Sequence, residues 1–214
     1  MKELIISKED KRIDDLLLKT LQKISINDYS RNKIREFLKK KGATKREIDI
    51  VINKLNKYDL LNEDELINNV ISFCDSKHYG YNHIIKMLKD RQVSKDKIAK
   101  VNKNEARELE HALEQTKRLV KRYKNKNTVN LRRSVYLSLI RCGFDESIAN
   151  LESLKVSNSP TKELNMLKLD YSKLVSSYSR KVKGKELNNK ITKALLSKGY
   201  RMNDVIHVLE RKMK

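Results

Sequence analysis

The chain has 214 residues, of which 38% are hydrophobic, 36% charged and only 6% aromatic. Five glycines and one proline offer little turn chemistry for β-hairpins or for a nucleotide-binding loop, and thinly spread apolar residues suit many small helical units. We therefore predict an all-α fold. The net charge is +21, which points to a nucleic acid, an anionic membrane or an acidic protein as partner. A biased genome composition would also enrich Lys, Asn and Ile, and this alternative stays open.

The two cysteines, Cys74 and Cys142, lie far apart, so a disulfide framework is not expected and both thiols should be reduced. The segment Met1 to Arg12 is charged and lacks the apolar stretch of a signal peptide. No apolar run approaches the ~18 residues needed to cross a bilayer. We expect a cytoplasmic protein that does not associate with membranes.

A repeat of about 50 residues runs through the chain. The apolar positions of the first copy are Ile34, Leu38 and Ile48, with Gly42 between two helical patterns. The corresponding residues of the later copies are Ile84, Leu88, Gln92 and Ile98, then Val135, Leu139, Gly143 and Ile148, then Ile191, Leu195, Gly199 and Val205. Glycine therefore recurs at one point in three of the four copies, and each copy reads as helix, turn, helix.

In the first copy, a helix with an apolar stripe precedes the pair; its stripe is Ile13, Leu16, Leu17, Leu21 and Ile24. The second helix, with Ile34, Phe37 and Leu38, should end at Gly42 in the left-handed conformation. Thr44 and Glu47 predict a capping box at the start of the third helix. The stripe of that helix is Ile48, Val51, Ile52 and Leu55.

The later copies follow the same order of helices. Asn62 with Glu65 should cap a helix whose stripe is Leu66, Val70 and Phe73, and a long charged helix from about Asn104 to Lys124 carries Leu109, Leu113 and Val120. Ser94 and Asp145 occupy the cap position of Thr44, Arg201 is a poor cap there, and Ser159-Pro160 starts the last set of helices. We predict about twelve short helices in four three-helix units, at 1–58, 59–103, 104–155 and 160–214. Such units stack into an elongated, curved array, with a linker at 155–160.

No residue pattern indicates catalysis, because there is neither a glycine-rich phosphate loop nor a serine in a nucleophile elbow. The trio Glu63-Asp64-Glu65 could serve a metal-dependent nuclease, but its place in the first turn of a helix favours a dipole role. Cys74, His78 and His83 have metal-ligand spacing, whereas Gly80 should break the helix and a half-buried cysteine is the simpler interpretation. We expect no catalytic residue, no cofactor and no bound metal.

Two clusters of basic residues are candidate binding surfaces. The first surrounds Gly42 and comprises Lys39, Lys40, Lys41, Lys45 and Arg46. The second comprises Lys117, Arg118, Lys121, Arg122, Lys124, Lys126, Arg132, Arg133 and Arg141. On a helix, residues 117 to 124 of this set cover one broad face, with Leu113 and Val120 pointing elsewhere. This face is either a polyanion-binding surface or solvated charge.

Two smaller features accompany these clusters. Arg180, Lys181, Lys183 and Lys185 form a further basic stretch. Tyr123 and Tyr136 lie near the second cluster and could stack on bases, but we favour a place at the edge of the core.

Four motifs follow one another in a specific order and spacing. The first is Tyr29-Ser30 with Ile34, Leu38 and Lys41-Gly42, and the second is the acidic segment Leu60 to Leu66. The third is His78-Tyr79-Gly80 with Ile84, Leu88 and Ile98, and the fourth is Arg141-Cys142-Gly143-Phe144 with Ile148. Together they resemble the RecX family of recombinase modulators: its opening pattern, the acidic start of its second unit, its mid-chain glycine helix and its Arg-Gly-Phe turn. The resemblance covers roughly residues 10 to 155. This chain departs from the pattern at Asn27, at Arg91-Gln92 and at Ile67 to Val70.

The resemblance implies a non-enzymatic, monomeric negative regulator of a RecA-type recombinase. Such a protein binds the recombinase filament on single-stranded DNA, and double-stranded DNA is a further expected partner. It would inhibit ATP hydrolysis and strand exchange, promote filament disassembly, and so modulate DNA repair, homologous recombination and the SOS response. The alternative is an independent basic DNA-binding protein without a recombinase-specific role.

Overall fold

A computed structural model describes residues 8–25 and 29–213, and this part of the chain contains twelve α-helices and no strand. The prediction of an all-α fold with about twelve short helices is confirmed. The helices are α1 Lys8–Ile24, α2 Arg31–Lys40, α3 Lys45–Lys57, α4 Glu63–Lys77, α5 Tyr81–Asp90, α6 Lys95–Ala99, α7 Glu105–Arg122, α8 Thr128–Arg141, α9 Glu146–Lys155, α10 Pro160–Tyr178, α11 Gly184–Ser197 and α12 Met202–Met213. The departure at Asn27 and the first seven residues of the charged N-terminus lie outside the described residues.

The helices fall into two compact units. Helices α1 to α6 form the first unit; α7 to α12, together with residues 78–80, form the second. The division into four three-helix units, their elongated and curved arrangement and the linker at 155–160 remain predictions. In the described part of the chain, no helix is long and apolar enough to span a membrane.

Several helix starts were predicted correctly because cap chemistry is local. Thr44 accepts a hydrogen bond from the Glu47 amide while the Glu47 carboxylate accepts one from the Thr44 amide, which is the predicted capping box. Asn62 Oδ1 accepts from the amides of Asp64 and Glu65, and Ser159 caps α10 with Pro160 at its first position. Ser94 and Asp145 do stand at N-cap positions, but neither side chain makes the capping hydrogen bond.

The turn between the second and third helix of each repeat has the same backbone conformation in all four copies. Gly42, Gly143 and Gly199 have φ of 76°, 89° and 89°, and Gln92 has φ of 57° at the equivalent place. The left-handed conformation is easy for glycine and unfavourable for glutamine. The second repeat therefore keeps the geometry without the residue that best suits it.

These turns are also where neighbouring elements dock inside each unit. In the first unit, Ser30 Oγ lies 2.5 Å from the carbonyl oxygen of Arg91 and 2.9 Å from that of Gln92. In the second unit, the amide of Gly80 donates to the Cys142 carbonyl at 2.9 Å, and Asn127 Nδ2 donates to the Lys198 carbonyl at 2.7 Å. Ser30, Gly80 and Asn127 each immediately precede the second helix of a repeat, so one contact type recurs three times.

The repeated apolar positions form the cores of both units. Ile34, Leu38 and Ile48 are buried in the first repeat, Leu131, Val135 and Leu139 in the third, and Ile191, Leu195 and Val205 in the fourth. The second repeat buries Leu66, Ile67, Val70 and Leu88. The repeat pattern thus identifies the core correctly at most of its positions.

Four apolar residues assigned to helix stripes are exposed, and the first of them is Leu21 in α1, at 37%. Phe73 is exposed because the buried side of α4 extends from Leu66 and Val70 toward Ile67 and Cys74, away from Phe73. Leu109 and Leu113 are also exposed, since α7 turns Ala112 and Leu119 inward together with several polar side chains. A helical apolar stripe does not identify the buried side when polar residues compete for it.

Candidate polyanion-binding surfaces

The first basic cluster, Lys39, Lys40, Lys41, Lys45 and Arg46, brackets the turn at Gly42, and all five residues are exposed. Cations in the last turn of α2 complement the helix dipole. Lys45 and Arg46 stand in the first turn of α3, where the dipole disfavours positive charge. Arg46 lies 3.9 Å from Glu9 of α1, whereas helix stability does not account for Lys45, which favours a role in binding.

The turn at the centre of this cluster is open. A Cβ atom built on Gly42 would meet nothing within 4 Å. The Gly42 carbonyl accepts a hydrogen bond of 2.8 Å from Arg12 Nη2, and Arg12 Nε also pairs with Glu47 at 2.9 Å. These contacts leave the lysines of the turn facing solvent.

The second cluster lies in the second unit and occupies α7, α8 and the loop between them. Lys117 pairs with Glu114 at 2.6 Å, so part of its charge is compensated within the helix. Seven other cations of this cluster are exposed, and Lys126 among them donates to Ser134. We call the remaining six the α7–α8 basic surface: Arg118, Lys121, Arg122, Lys124, Arg133 and Arg141. The sequence contains no Asp or Glu between Glu114 and Asp145. Neighbouring carboxylates from this stretch therefore cannot neutralise the surface.

Specific contacts bring the two ends of the α7–α8 basic surface together. The hydroxyl groups of Tyr123 and Ser138 are 3.0 Å apart, which ties the end of α7 to the last turns of α8. Arg122 and Arg141 both lie close enough to Cys142 to lower the pKa of its thiol, although burial outweighs them and the net shift is upward. Arg122 and Arg141 therefore contribute to one local positive field.

Arg132 differs from its neighbour Arg133. Its Nε donates to the Val156 carbonyl at 2.7 Å, and the side chain is half-buried. That hydrogen bond satisfies a carbonyl just beyond the end of α9, which is a structural role. Arg132 was predicted as a binding residue, and its guanidinium is engaged inside the unit instead of being presented to solvent.

The tyrosines near this surface lie at the edge of the core. Tyr123 and Tyr136 are half-buried and pack against the cluster formed by Leu131, Val135 and Leu139. The hydrogen bond with Ser138 lowers the pKa of Tyr123, helped by the nearby Arg122 and Lys126. Lys126 lies 4.7 Å from the centre of the Tyr123 ring and donates to Ser134 at 2.6 Å. A cation of the protein itself thus covers one face of this ring.

The residues considered for metal or nuclease chemistry are engaged elsewhere. Helix α4 ends at Lys77 and His78 has φ of 53°, so the four-residue spacing of Cys74 and His78 does not place them on one helix face. Cys74 is buried with its Sγ 3.6 Å from Met87 Sδ, and burial raises the pKa of its thiol to about 11. Among the described residues, no three His, Cys, Asp or Glu side chains come together as metal ligands.

The acidic trio at the start of α4 is occupied by contacts within the first unit. Asp64 pairs with Lys97 at 2.9 Å, and Glu63 accepts from Ser94 Oγ at 3.3 Å. The backbone amides of Asp64 and Glu65 complete the cap on Asn62. These contacts favour the structural interpretation of the trio over a catalytic one.

Sequence patterns did not indicate one cationic feature of the second unit. An open groove of about 840 Å³ is lined by four lysines together with amide and hydroxyl side chains. The lysines are Lys126, Lys162, Lys173 and Lys198, of which Lys198 pairs with Asp170 at 2.9 Å. They are widely separated in the sequence, so no local run of charge could reveal the groove.

Comparisons with known proteins agree on one family. Two relatives from Streptococcus pneumoniae, both named Regulatory protein RecX, are 28% and 27% identical to this chain over 88% and 94% of its length. The alignments cover 74% and 84% of those relatives. A search of protein-family models finds no match. A crystal structure of a regulatory protein RecX superimposes on 69% of this chain with a TM-score of 0.54 and 16% identity, which supports the fold.

Helical repeats that expose extended basic surfaces are typical of proteins that bind polyanions or acidic partners. Both named relatives are regulatory proteins by name, and this chain resembles them over most of its length. RecX is therefore the family that the comparisons support, as the order of the repeat motifs predicted.

Proposed function

We propose that this protein is a negative regulator of a RecA-type recombinase in the cytoplasm. It binds as a monomer to the recombinase filament on single-stranded DNA, inhibits ATP hydrolysis and strand exchange, and promotes filament disassembly. Through these effects it modulates DNA repair, homologous recombination and the SOS response. The protein catalyses no reaction itself.

The α7–α8 basic surface is the observation that carries this proposal. Arg122 and Arg141, which both lie near Cys142, repel one another, and the sequence has no carboxylate between Glu114 and Asp145 to offset that repulsion. A polyanion or an acidic protein surface relieves the repulsion when it binds. A filament on single-stranded DNA offers both kinds of negative charge, and binding should weaken with salt as counterions are released.

A second candidate function has support from the same charges. Basic clusters stand in both units, around Gly42 and on α7–α8, and a DNA-binding protein without any recombinase-specific role would also need them. The two functions differ in one observable. The DNA-binding alternative requires the protein to bind naked DNA tightly at physiological salt when no recombinase is present. Any effect on the filament would then follow from this affinity for DNA alone.

The test is ATP hydrolysis by the cognate recombinase on single-stranded DNA, titrated with this protein at physiological salt. A lysine-rich protein of matched net charge serves as control. Inhibition well below one molecule per recombinase protomer, absent in the control, supports a filament regulator. Full ATP hydrolysis at saturating protein would refute the proposal and leave the DNA-binding alternative.

The contribution of the basic surface can be isolated by charge reversal. We expect the triple variant Arg118→Glu, Lys121→Glu, Arg122→Glu to inhibit at least about tenfold more weakly, because several favourable charge contacts become repulsive. Lys117 is left unchanged because its reversal would also break the pair with Glu114. All three residues are exposed, so the fold should persist.

A matched control reverses three exposed lysines elsewhere in the second unit, Lys168, Lys185 and Lys193. It has the same change in net charge and should keep most of the inhibition. Equal loss in both variants would mean that overall charge, and not this surface, governs binding. Full inhibition by a folded triple variant would show that the α7–α8 basic surface does not contribute to inhibition.

A further inference from the structure

Helix α7 exposes leucine and buries polar residues, the reverse of an ordinary amphipathic helix. Leu109 and Leu113 are 45% and 44% exposed. On the inner side, four polar residues are less than a tenth exposed: Glu108, His111, Gln115 and Thr116. Leu119 and Ala112 are the apolar residues that α7 contributes to the core of the unit.

This arrangement is not the one that stability favours. Burying leucine releases apolar surface from water, whereas burying polar groups requires partners for each of them. His111 Nδ1 lies 3.3 Å from the Tyr79 carbonyl, but within the described residues the buried hydroxyl of Thr116 has no hydrogen-bond partner. The stability of the folded unit therefore does not explain why the two leucines are exposed, and a binding partner would explain it.

The leucines continue directly into the basic residues. Leu109, Leu113 and Lys117 follow one another at four-residue spacing, which places them side by side on successive turns. Lys121 and Arg118 extend the exposed side beyond Lys117. We call the exposed side formed by Leu109, Leu113, Lys117, Arg118 and Lys121 the α7 outer face. It has a pair of leucines at one end and a group of cations at the other.

We infer that the α7 outer face docks on a protein surface that combines an apolar pocket with acidic side chains. The leucines would enter the pocket, and Arg118 and Lys121 would meet the carboxylates. The charge of the face selects an acidic partner. The leucines favour protein over nucleic acid, since the phosphate edge of a strand offers them no apolar pocket.

A lipid surface suits this face less well. A membrane-surface helix buries one apolar side in the bilayer along its length, whereas the inner side of α7 is packed in the core of its unit. The inference rests on the proposed function in one respect: the recombinase filament is the acidic protein partner used to test it. It adds that the contact is with protein, and that naked DNA does not require the leucines.

The experiment compares two double variants of the full chain. The test variant is Leu109→Ser with Leu113→Ser on α7. The control is Leu151→Ser with Leu154→Ser on α9, where the leucines are 51% and 56% exposed in the same unit. Both variants carry the same two substitutions and leave every charge in place, and the control removes at least as much exposed apolar surface, so a larger effect of the α7 pair reflects its position.

Binding of each variant is measured to the recombinase filament on single-stranded DNA and to the same DNA without recombinase. We expect the α7 variant to bind the filament about tenfold or more weakly, because two buried leucine contacts are lost. Its affinity for naked DNA and its unfolding temperature should match those of the unmodified protein. The α9 variant should be unchanged in all three measurements.

The outcomes separate this inference from the proposed function. If the unmodified protein does not bind the filament more tightly than naked DNA, the proposed function fails. If it does, and the α7 variant binds the filament as the α9 variant does, the inference about the leucines is wrong. Parallel loss of filament and DNA affinity by the α7 variant would assign the face to nucleic acid and would also overturn the inference.

Discussion

Replacing Gly80 by alanine tests whether the recurrent turn contact stabilises the second unit. A Cβ atom at Gly80 would lie 2.5 Å from the Gly143 carbonyl oxygen, 2.6 Å from its carbon and 2.7 Å from the Phe144 nitrogen. All three are backbone atoms, so no side chain can rotate away to make room. The segment would have to withdraw, which would break the 2.9 Å hydrogen bond from the Gly80 amide to Cys142.

The cost has two parts. Overpacking a tight contact costs about 1–3 kcal/mol, and the lost hydrogen bond about 0.5–1.5 kcal/mol. We therefore expect Gly80→Ala to lower the free energy of unfolding by about 2–4 kcal/mol. Urea denaturation followed by far-ultraviolet circular dichroism measures this change, and loss of hydrogen-exchange protection at residue 80 locates it.

Gly42→Ala is the matched control for this substitution. Gly42 has a left-handed backbone at φ of 76° but no atom within 4 Å of its would-be Cβ. Only the conformational cost applies there, about 1–2 kcal/mol. A loss below about 0.5 kcal/mol in Gly80→Ala, smaller than that of the control, would show that the close approach does not stabilise the unit.

Two further predictions concern the first unit. Gln92→Gly should raise the free energy of unfolding by about 0.5–1 kcal/mol in urea, because glycine relieves the left-handed strain at φ of 57° but gains freedom when unfolded; a destabilised variant would contradict this. Hydrogen bonds from the Thr44 amide and hydroxyl, with Arg12 nearby, lower the pKa of Glu47 from its ordinary 4.5. The stability from this group is present above pH 4.5 and is lost as the pH falls through the lowered pKa, so Glu47→Gln should flatten acid unfolding below pH 4.5. Identical acid profiles would refute that assignment.

Local chemistry is what the sequence predicts well in this fold. The capping box of Thr44 and Glu47, the cap at Asn62 and the start at Ser159-Pro160 depend on residues within one helical turn, and all are present. The repeated apolar positions were equally informative because each repeat must bury the same two helices. Recurrence of Gly42 even identified the left-handed turn that Gln92 adopts without glycine.

Long-range contacts explain the structural features that the sequence did not predict. Nothing near Arg132 in the sequence reveals that the Val156 carbonyl accepts from it, and nothing near Leu113 reveals that α7 packs by Ala112 and Leu119. The pairing of Lys117 was local, at three residues' distance, and could have been anticipated from Glu114. The groove lysines are brought together only by the packing of the second unit.

The recurrent turn explains why the first repeat is the more suitable place for charge. The turns at Gln92, Gly143 and Gly199 are covered, by Ser30, by Gly80 and by Val129 with Asn127 respectively. In the described part of the chain, no comparable element covers the turn at Gly42, whose carbonyl oxygen accepts a hydrogen bond from the guanidinium of Arg12.

Cations can accumulate around Gly42 because, among the described residues, no atom lies within 4 Å of the place where its side chain would begin. In the covered turns, an added lysine at the point of contact would be buried without a partner. A turn that no packed element covers is a position where a basic cluster costs the fold little. Lys39, Lys40 and Lys41 occupy that position, which is why we retain this cluster beside the α7–α8 basic surface as a second contact with the proposed polyanionic partner.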